Sequence, residues 1–231
     1  MATMPASLLF QDEYAHQILA GIVQMFQLTI CAWLAAMALG VLLAMLRMTH
    51  KRPLVALVVA YVEYHRNIPM LVQIFIWFFG IPTLLPQTVQ VWINQQHSEF
   101  IFAVVAIALC SAAYISEDLR SGIRAIPSSQ MEASRALGLT YLQAFRKVVL
   151  PQALRLALPP LVSNTVLLFK NTSLAMTIGV AELTYVTREI ESQTFRTTDI
   201  YVVATVIYLS ISLMIMAAGA GLQKRYRIQG R

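Results

Sequence analysis

Polar and ionisable side chains interrupt two long apolar stretches of this chain. They are Glu63, Arg66, Asn67 and Gln73 in the first stretch and Lys170, Asn171, Thr172 and Ser173 in the second. Such groups are costly inside an apolar segment, and they usually face a cavity or a partner group. Their chemistry is suited to binding a charged or polar solute by ion pairs and hydrogen bonds. Both groups are therefore candidates for lining a path through the molecule.

Bond-making chemistry is not indicated by the sequence. No G-x-x-x-x-G-K-[ST] pattern occurs, so we expect no phosphate-binding loop and no ATP site of that kind. Cys31 and Cys110 lie in apolar runs, where small buried hydrophobic roles are the simplest interpretation. The histidines are scattered, and no Ser/His/Asp pattern or zinc-ligand spacing is present. We expect no catalytic residue, no metal site and no cofactor bound by this chain.

Arg66 and Lys170 each have two interpretations. Pro69 blocks a backbone hydrogen bond, and a helix broken at membrane depth is tolerated where it lines a cavity. Arg66 could instead anchor a simple bend at the lipid headgroups. Lys170 follows Pro160 by about ten residues, which is roughly 15 Å along a helix and near the middle of a bilayer. It could line a path or form a structural bridge with Glu63 or another carboxylate.

Composition explains why these residues would lie in a membrane. The 231 residues are 58% hydrophobic and only 12% charged, with a mean hydropathy of +0.65, whereas soluble domains carry roughly 25% charged residues. A spanning helix needs about 20 apolar residues. The chain has five such runs, at 18–46, 53–85, 99–115, 156–180 and 200–222. We predict an all-α integral membrane protein with about five spans in a single domain, residues 1–231.

Charge placement predicts the orientation. With the N-terminus outside and the C-terminus in the cytoplasm, the cytoplasmic segments are 47–53, 116–155 and 223–231. They contain all but four of the 17 Lys and Arg residues, as the positive-inside rule requires. The net charge of +6 is therefore explained by the membrane, and no nucleic acid partner is expected.

The 120–151 loop is the most specific feature of the sequence. Pro127 can open a helix, and Ser129 with Glu132 has the spacing of a capping box. A short helix over 130–137 would then end at Gly138 in a left-handed conformation. Thr140 and Gln143 have a second capping-box spacing, which predicts a helix through Val149. Pro151 would open the next membrane helix. On these signals alone, an ordinary amphipathic connector is also possible.

The same segment resembles a known motif. The residues that match are Glu132, Ala133, Ser134, Gly138, Val148, Leu150 and Pro151. Arg135 lies between the matching positions, and we expect it to belong to the same coupling surface. This pattern is similar to the EAA motif of bacterial ABC importer permeases, with Ser134 where Ala is usual and Val148 where Ile is usual. In that family the loop docks into a groove on the cytoplasmic ATPase subunit.

The resemblance implies a type I ABC importer permease fold in the bacterial inner membrane. It also implies four partners: a dimer of ATP-binding subunits, a second permease that is identical or a companion, an external substrate-binding protein and membrane lipid. ATP would be bound by the partner ATPase. The expected mechanism is alternating access, in which the 120–151 loop transmits ATPase motion to the spans.

Two further segments resemble known permeases and indicate which solute is transported. The segment from Tyr61 to Gln73 and the run from Lys170 to Leu174 resemble polar amino acid permeases, most closely the glutamate/aspartate branch. Related permeases for basic amino acids often have Asp where this chain has Asn171, and less negative charge suits an anionic solute. We expect glutamate or aspartate uptake. Another polar or basic amino acid, an ion-gradient-driven transporter and a membrane assembly protein are the alternatives.

Overall fold

The computed structural model describes residues 12–49, 51–95 and 98–226. The described residues form helices joined by short turns, and no strand occurs among them. The prediction of an all-α protein is therefore confirmed. Arg227 and Arg231, which we assigned to the cytoplasmic side, lie outside the described residues.

Ten α-helices follow one another along the described chain. They are α1 (Asp12–Arg47), α2 (Arg52–Asn67), α3 (Met70–Phe75), α4 (Gln87–Asn94), α5 (Ser98–Arg124), α6 (Ser128–Ala136), α7 (Tyr141–Ala144), α8 (Leu150–Asn171), α9 (Leu183–Thr194) and α10 (Thr197–Arg225). A π turn, Ile76–Gly80, and a 3-10 turn, Ile81–Leu84, extend α3. A π turn, Phe145–Val149, joins α7 to α8, and a 3-10 segment, Thr172–Ile178, follows α8.

Three of these helices, α1, α5 and α10, are long and apolar enough to cross a membrane. Two bent pairs, Arg52–Asn67 with Met70–Leu84 and Tyr141–Ile178 with Leu183–Thr194, bring the number to as many as five. This agrees with the five predicted apolar runs. The spans are longer than those runs: α5 continues to Arg124, where the Nε of Arg120 donates to Glu117 at 3.0 Å and supports the polar end of the helix.

The break after α2 follows from a proline. Pro69 has no backbone N–H and pushes the preceding residue away from helical geometry, and α3 begins at Met70 with Pro69 at its N-cap. The side-chain amide of Gln73 donates to the carbonyl of Ile68 at 2.8 Å. A carbonyl at the break is therefore satisfied by a local side chain.

The described chain divides into two compact units, and α1, α5, α8 and α10 each contribute residues to both. Unit 1 contains residues up to Leu34, Ile68–Ala108 and Leu168–Ser212. Its core includes Val186, Ile190 and Ile200. Within it, α3 and α9 each pack against the 3-10 segment Thr172–Ile178.

Unit 2 contains Ala35–Asn67, Leu109–Leu167 and the chain from Leu213. Leu43, Val58, Val62, Ala112 and Ala113 form its core, which joins α1, α2 and α5. The small residues of α5 allow the other two helices to pack closely. The prediction of one permease domain over 1–231 remains a prediction.

Candidate functional site

The first helix of the 120–151 loop, α6, begins two residues earlier than its sequence signals predicted, at Ser128 instead of residue 130. Its N-cap is Pro127, which makes no side-chain capping bond. The predicted capping box of Ser129 and Glu132 is therefore wrong. Pro127 has a ψ of 141°, so the chain enters the helix from an extended conformation before Ser129 can cap it.

The end of α6 is as predicted. Gly138 has a φ of +86°, a left-handed conformation that glycine adopts without strain. Its N–H donates to Arg135 at 3.0 Å, and the N–H of Leu139 donates to Ser134 at 3.3 Å. This pair of bonds is a complete Schellman motif, and it turns the chain sharply.

The motif residues on α6 have different surroundings. Glu132, Ala133 and Arg135 are exposed, whereas Ser134 is buried and its hydroxyl donates to the carbonyl of Gln130 at 2.6 Å. A small side chain at 134 lets α6 pack against the Phe145–Val149 turn. The exposed residues are thus available on one rigid surface.

The second helix of the loop is capped as the sequence predicted. The N–H of Gln143 donates to the Thr140 hydroxyl at 3.3 Å, and the Gln143 side chain accepts from the Thr140 N–H at 2.9 Å. The following π turn leads directly into α8, with Leu150 and Pro151 half-buried in its first turn. Pro151 opens α8 without ending the preceding helical path.

Three apolar side chains are exposed on this loop: Leu137 at 84%, Tyr141 at 61% and Leu142 at 62%. They lie on either side of the Gly138 turn. Exposed apolar side chains that adjoin one another and are rimmed by polar residues are typical of a protein contact. The loop therefore presents a small, rigid apolar surface beside Glu132.

The predicted path residues of unit 2 lie together at the end of α2. Glu63, Arg66 and Asn67 are all exposed. The Asn67 amide donates to the Glu63 carbonyl at 2.7 Å and to its carboxylate at 3.0 Å. The Arg66 guanidinium lies over the ring of Tyr114, 5.4 Å from the centroid, in a cation–π contact. Tyr114 was not among the predicted residues.

The predicted path residues of unit 1 are Gln73, Lys170, Asn171, Thr172 and Ser173. Lys170 is exposed, and it makes no ion pair with a described residue of its unit. Thr172 and Gln73 are almost fully buried. The hydroxyls of Thr172 and Ser173 donate to the carbonyls of Phe169 and Lys170, both at 2.7 Å. The alternative bridge between Lys170 and Glu63 stays a prediction.

A buried carboxylate in unit 1 was missed by the sequence reasoning. Glu182 is fully buried and caps α9, where it accepts the N–H groups of Thr184 and Tyr185, both at 2.9 Å. The hydroxyl of Tyr208 on α10 also donates to it at 2.8 Å. Glutamate is not among the favoured N-cap residues. The only signal was a lone acid directly after an apolar run.

An ion cluster in unit 2 was missed as well. Glu117 on α5 pairs with Arg47 at the end of α1 and with Arg120 on its own helix. We had assigned both arginines to the cytoplasmic segments without a partner. Within the described residues, no group of three or more His, Cys, Asp or Glu side chains is placed to hold a metal ion.

Comparison with known proteins agrees with this architecture. The family model described as "Binding-protein-dependent transport system inner membrane component" matches residues 36–228. The chain is 32% identical over 221 residues to the glutamate/aspartate import permease protein GltJ of Escherichia coli (strain K12), covering 94% of this chain and 90% of that protein. It is 31% identical to the probable glutamine ABC transporter permease protein GlnM of Bacillus subtilis (strain 168), covering 94% and 93%.

A solved structure shares the fold. The structure described as "Crystal structure of an amino acid ABC transporter with histidines" matches with a TM-score of 0.84 and 28% identity, covering 97% of this chain and 100% of that one. The chain therefore belongs to the family of inner membrane components of binding-protein-dependent transport systems. It is an amino acid ABC transporter permease with several spans in the inner membrane, and its fold is that of a type I importer permease.

Proposed function

We propose that this permease imports glutamate or aspartate. The observation that carries the proposal is the presence of two exposed cations, Arg66 and Lys170, inside predicted spans. A buried or membrane-embedded cation attracts an anionic solute strongly because little water screens it. Asn171 places an amide instead of a carboxylate beside Lys170, so no negative charge from that position would repel the solute.

The path would be formed by the residues predicted from the sequence. They are Glu63, Arg66, Asn67, Gln73, Lys170, Asn171, Thr172 and Ser173. Arg66 would bind a solute carboxylate, with the Tyr114 ring fixing its guanidinium. The Glu63 carboxylate accepts one hydrogen bond from Asn67, and its remaining acceptor sites would pair with the α-amino group of the solute. Buried Gln73 and Thr172 would act by holding the backbone beside the path.

The energy would come from a separate ATPase dimer that binds ATP and docks on the 120–151 loop. Glu132, Ala133, Ser134, Arg135, Gly138, Leu150 and Pro151 would form or support that contact. The capped helices of the loop support this role, because a flexible segment would absorb a mechanical stroke in its own ordering cost. A second permease and an external substrate-binding protein would complete the complex.

Substrate choice is tested by uptake. The complex, purified with its companion subunits and reconstituted in vesicles, is given labelled glutamate, aspartate, glutamine, arginine and histidine. We expect glutamate and aspartate to compete best for uptake. Preference for arginine or histidine would overturn the proposal, and uptake without ATP would favour the ion-gradient alternative.

The role of Lys170 is tested by Lys170→Gln, with Lys170→Arg as the charge-retaining control. Loss of one cation that contacts the solute is expected to lower the apparent affinity for glutamate about tenfold or more. The arginine variant should keep most of it. Equal losses for glutamate and for glutamine would indicate a structural role for the lysine instead.

Coupling is tested by Glu132→Ala, with Ser128→Ala as a control on the same helix. We expect Glu132→Ala to weaken recovery of the ATPase with the permease and to lower ATP-driven uptake, while the permease still folds. If Glu132→Ala takes up substrate at the wild-type rate, the proposal that this loop couples ATP hydrolysis to transport is wrong.

A further inference from the structure

Unit 2 contains a cavity of about 650 Å³ beside the 120–151 loop. The turn between α5 and α6, the start of α6, the first turns of α8 and the end of α10 all contribute to its lining. The two helices α8 and α10 pack closely beside the cavity, because a Cβ at Gly219 of α10 would lie only 2.5 Å from Val162 of α8. The two helices touch there, and the cavity lies further along α10.

The charged lining of this cavity is entirely basic. Arg155 of α8 and Lys224 of α10 line it, and no Asp or Glu does. Neither cation makes an ion pair with another described residue. Two like charges that face one space without a counter-charge favour an anionic occupant.

The remaining lining has two chemical characters. Side-chain amides come from Gln130, Gln152 and Gln223, and the Gln152 amide already lies 3.5 Å from the Gln130 oxygen. The apolar part comes from Ile126, Leu156, Leu158 and Pro159. The occupant should therefore be amphiphilic, with an anionic, hydrogen-bonding head and a hydrocarbon part.

We propose that this cavity binds an anionic phospholipid, with the phosphate at Arg155 and Lys224 and the start of an acyl chain along the apolar wall. Basic pockets between membrane helices on the cytoplasmic side are typical binding sites for anionic headgroups. The predicted orientation places the end of α10 on that side. A nucleotide or a free phosphate would leave the apolar wall without a partner.

A lipid bound in this cavity would also affect the 120–151 loop. It would join the entry to α6, at Pro127 and Gln130, to the final turn of α10. Bound lipid would therefore hold the base of the 120–151 loop against the bundle, and ATP-driven uptake should rise with the anionic lipid content of the membrane.

The first test needs no variant. The purified complex is exchanged into mixed phosphatidylglycerol and phosphatidylcholine, and native mass spectrometry counts the lipids that stay bound. We expect phosphatidylglycerol to be retained in preference to phosphatidylcholine. Retention in proportion to the mixture would overturn the proposal. Inorganic phosphate is added in competition, and its ability to release phosphatidylglycerol at low millimolar concentration would identify a phosphate site and overturn the lipid assignment.

The second test compares two charge-matched double variants. Arg155→Gln with Lys224→Gln removes the cavity cations. Arg124→Gln with Arg225→Gln removes two exposed cations, at the ends of α5 and α10, that do not line the cavity. The cavity variant should bind phosphatidylglycerol more weakly by about fivefold for each lost cation, the factor that corresponds to about 1 kcal/mol. The control should change less than twofold. Equal losses would indicate diffuse surface attraction and overturn the site.

Uptake in vesicles with and without phosphatidylglycerol completes the test. The wild type and the control should be stimulated by the anionic lipid, and the cavity variant should not be. If phosphatidylglycerol stimulates uptake by all three proteins, the stimulation does not arise from lipid bound in this cavity, and the proposed role of the cavity in uptake is overturned. Selectivity among amino acids should be unchanged in every variant, so the result does not depend on whether the cargo is glutamate.

Discussion

The 120–151 loop and the segment 172–187, which we call the corner, both turn the chain sharply and then start a new helix, but different contacts hold them. Each turns the chain at a left-handed glycine, Gly138 with a φ of +86° and Gly179 with a φ of +93°. Each then starts a helix with a side-chain cap, Thr140 in the loop and Glu182 in the corner. The cap in the loop is exposed and local, whereas the cap in the corner is buried and is also bound by Tyr208 of α10.

The difference shows where each region gets its rigidity. All the capping bonds of the loop join residues within a few positions of one another, so its outer surface can contact another protein without breaking them. The corner relies on a hydroxyl 26 residues away. Substitutions should therefore be mild for folding in the loop and severe in the corner.

The largest effect is expected for Glu182→Ala. It would leave two backbone N–H groups without an acceptor in a buried site and would remove one hydrogen bond of the Tyr208 hydroxyl, which should lower the free energy of unfolding by about 3 kcal/mol. Thermal unfolding of the purified permease measures this. Glu189→Ala, on the exposed side of the same helix, serves as the control. An unchanged unfolding temperature for Glu182→Ala would contradict the expectation that substitutions destabilise the corner more than the loop.

Tyr208→Phe should have the next largest effect. It removes the hydroxyl that donates to Glu182 and contacts Thr184, both at 2.8 Å, but it keeps the ring against Phe169. Loss of a bond to a buried carboxylate should cost about 2 kcal/mol. Tyr201→Phe, on an exposed part of α10, should be neutral. If Tyr208→Phe and Tyr201→Phe have the same free energy of unfolding, the hydrogen bond from α10 does not stabilise the corner.

Gly138→Ala and Gly179→Ala compare the two turns directly. Apart from the adjoining residues of the chain, no atom lies within 4 Å of a Cβ built at either position, so the cost is backbone strain and should be about 1 kcal/mol for each. Gly221→Ala, also in open space but with a helical backbone, is the control.

Function should separate the two glycine variants. We expect ATP-driven uptake to fall more for Gly138→Ala, because it reorients the exposed surface of Leu137, Tyr141 and Leu142. A larger loss of uptake for Gly179→Ala would contradict the coupling role proposed for the loop.

Thr140→Ala should have the smallest effect on stability. An exposed N-cap contributes about 0.5 kcal/mol when replaced by alanine, and Thr140→Ser should retain the bond. Hydrogen–deuterium exchange of residues 140–149 measures the local opening of α7. Protection that is the same in Thr140→Ala and the wild type would show that the capping box does not hold this helix.

The same contrast explains how well the sequence predicted each region. The helix end at Gly138 and the capping box of Thr140 with Gln143 were predicted correctly, because both depend on neighbouring residues. The Ser129 capping box was wrong, since Pro127 already fixes the entry to α6. Glu182 was missed because its partner Tyr208 is remote in sequence and glutamate is a poor N-cap signal.

Residue types and their spacing determined that this chain lies in a membrane, that it has about five apolar runs and that one basic loop carries two short helices with a turn at Gly138. These are properties of the local chain, and composition and periodicity report them directly. Only the tertiary structure brought Tyr208 to Glu182, Tyr114 beneath Arg66, and Arg155 and Lys224 into one cavity. Each of these contacts joins distant segments, and its free energy depends on packing that no local pattern encodes.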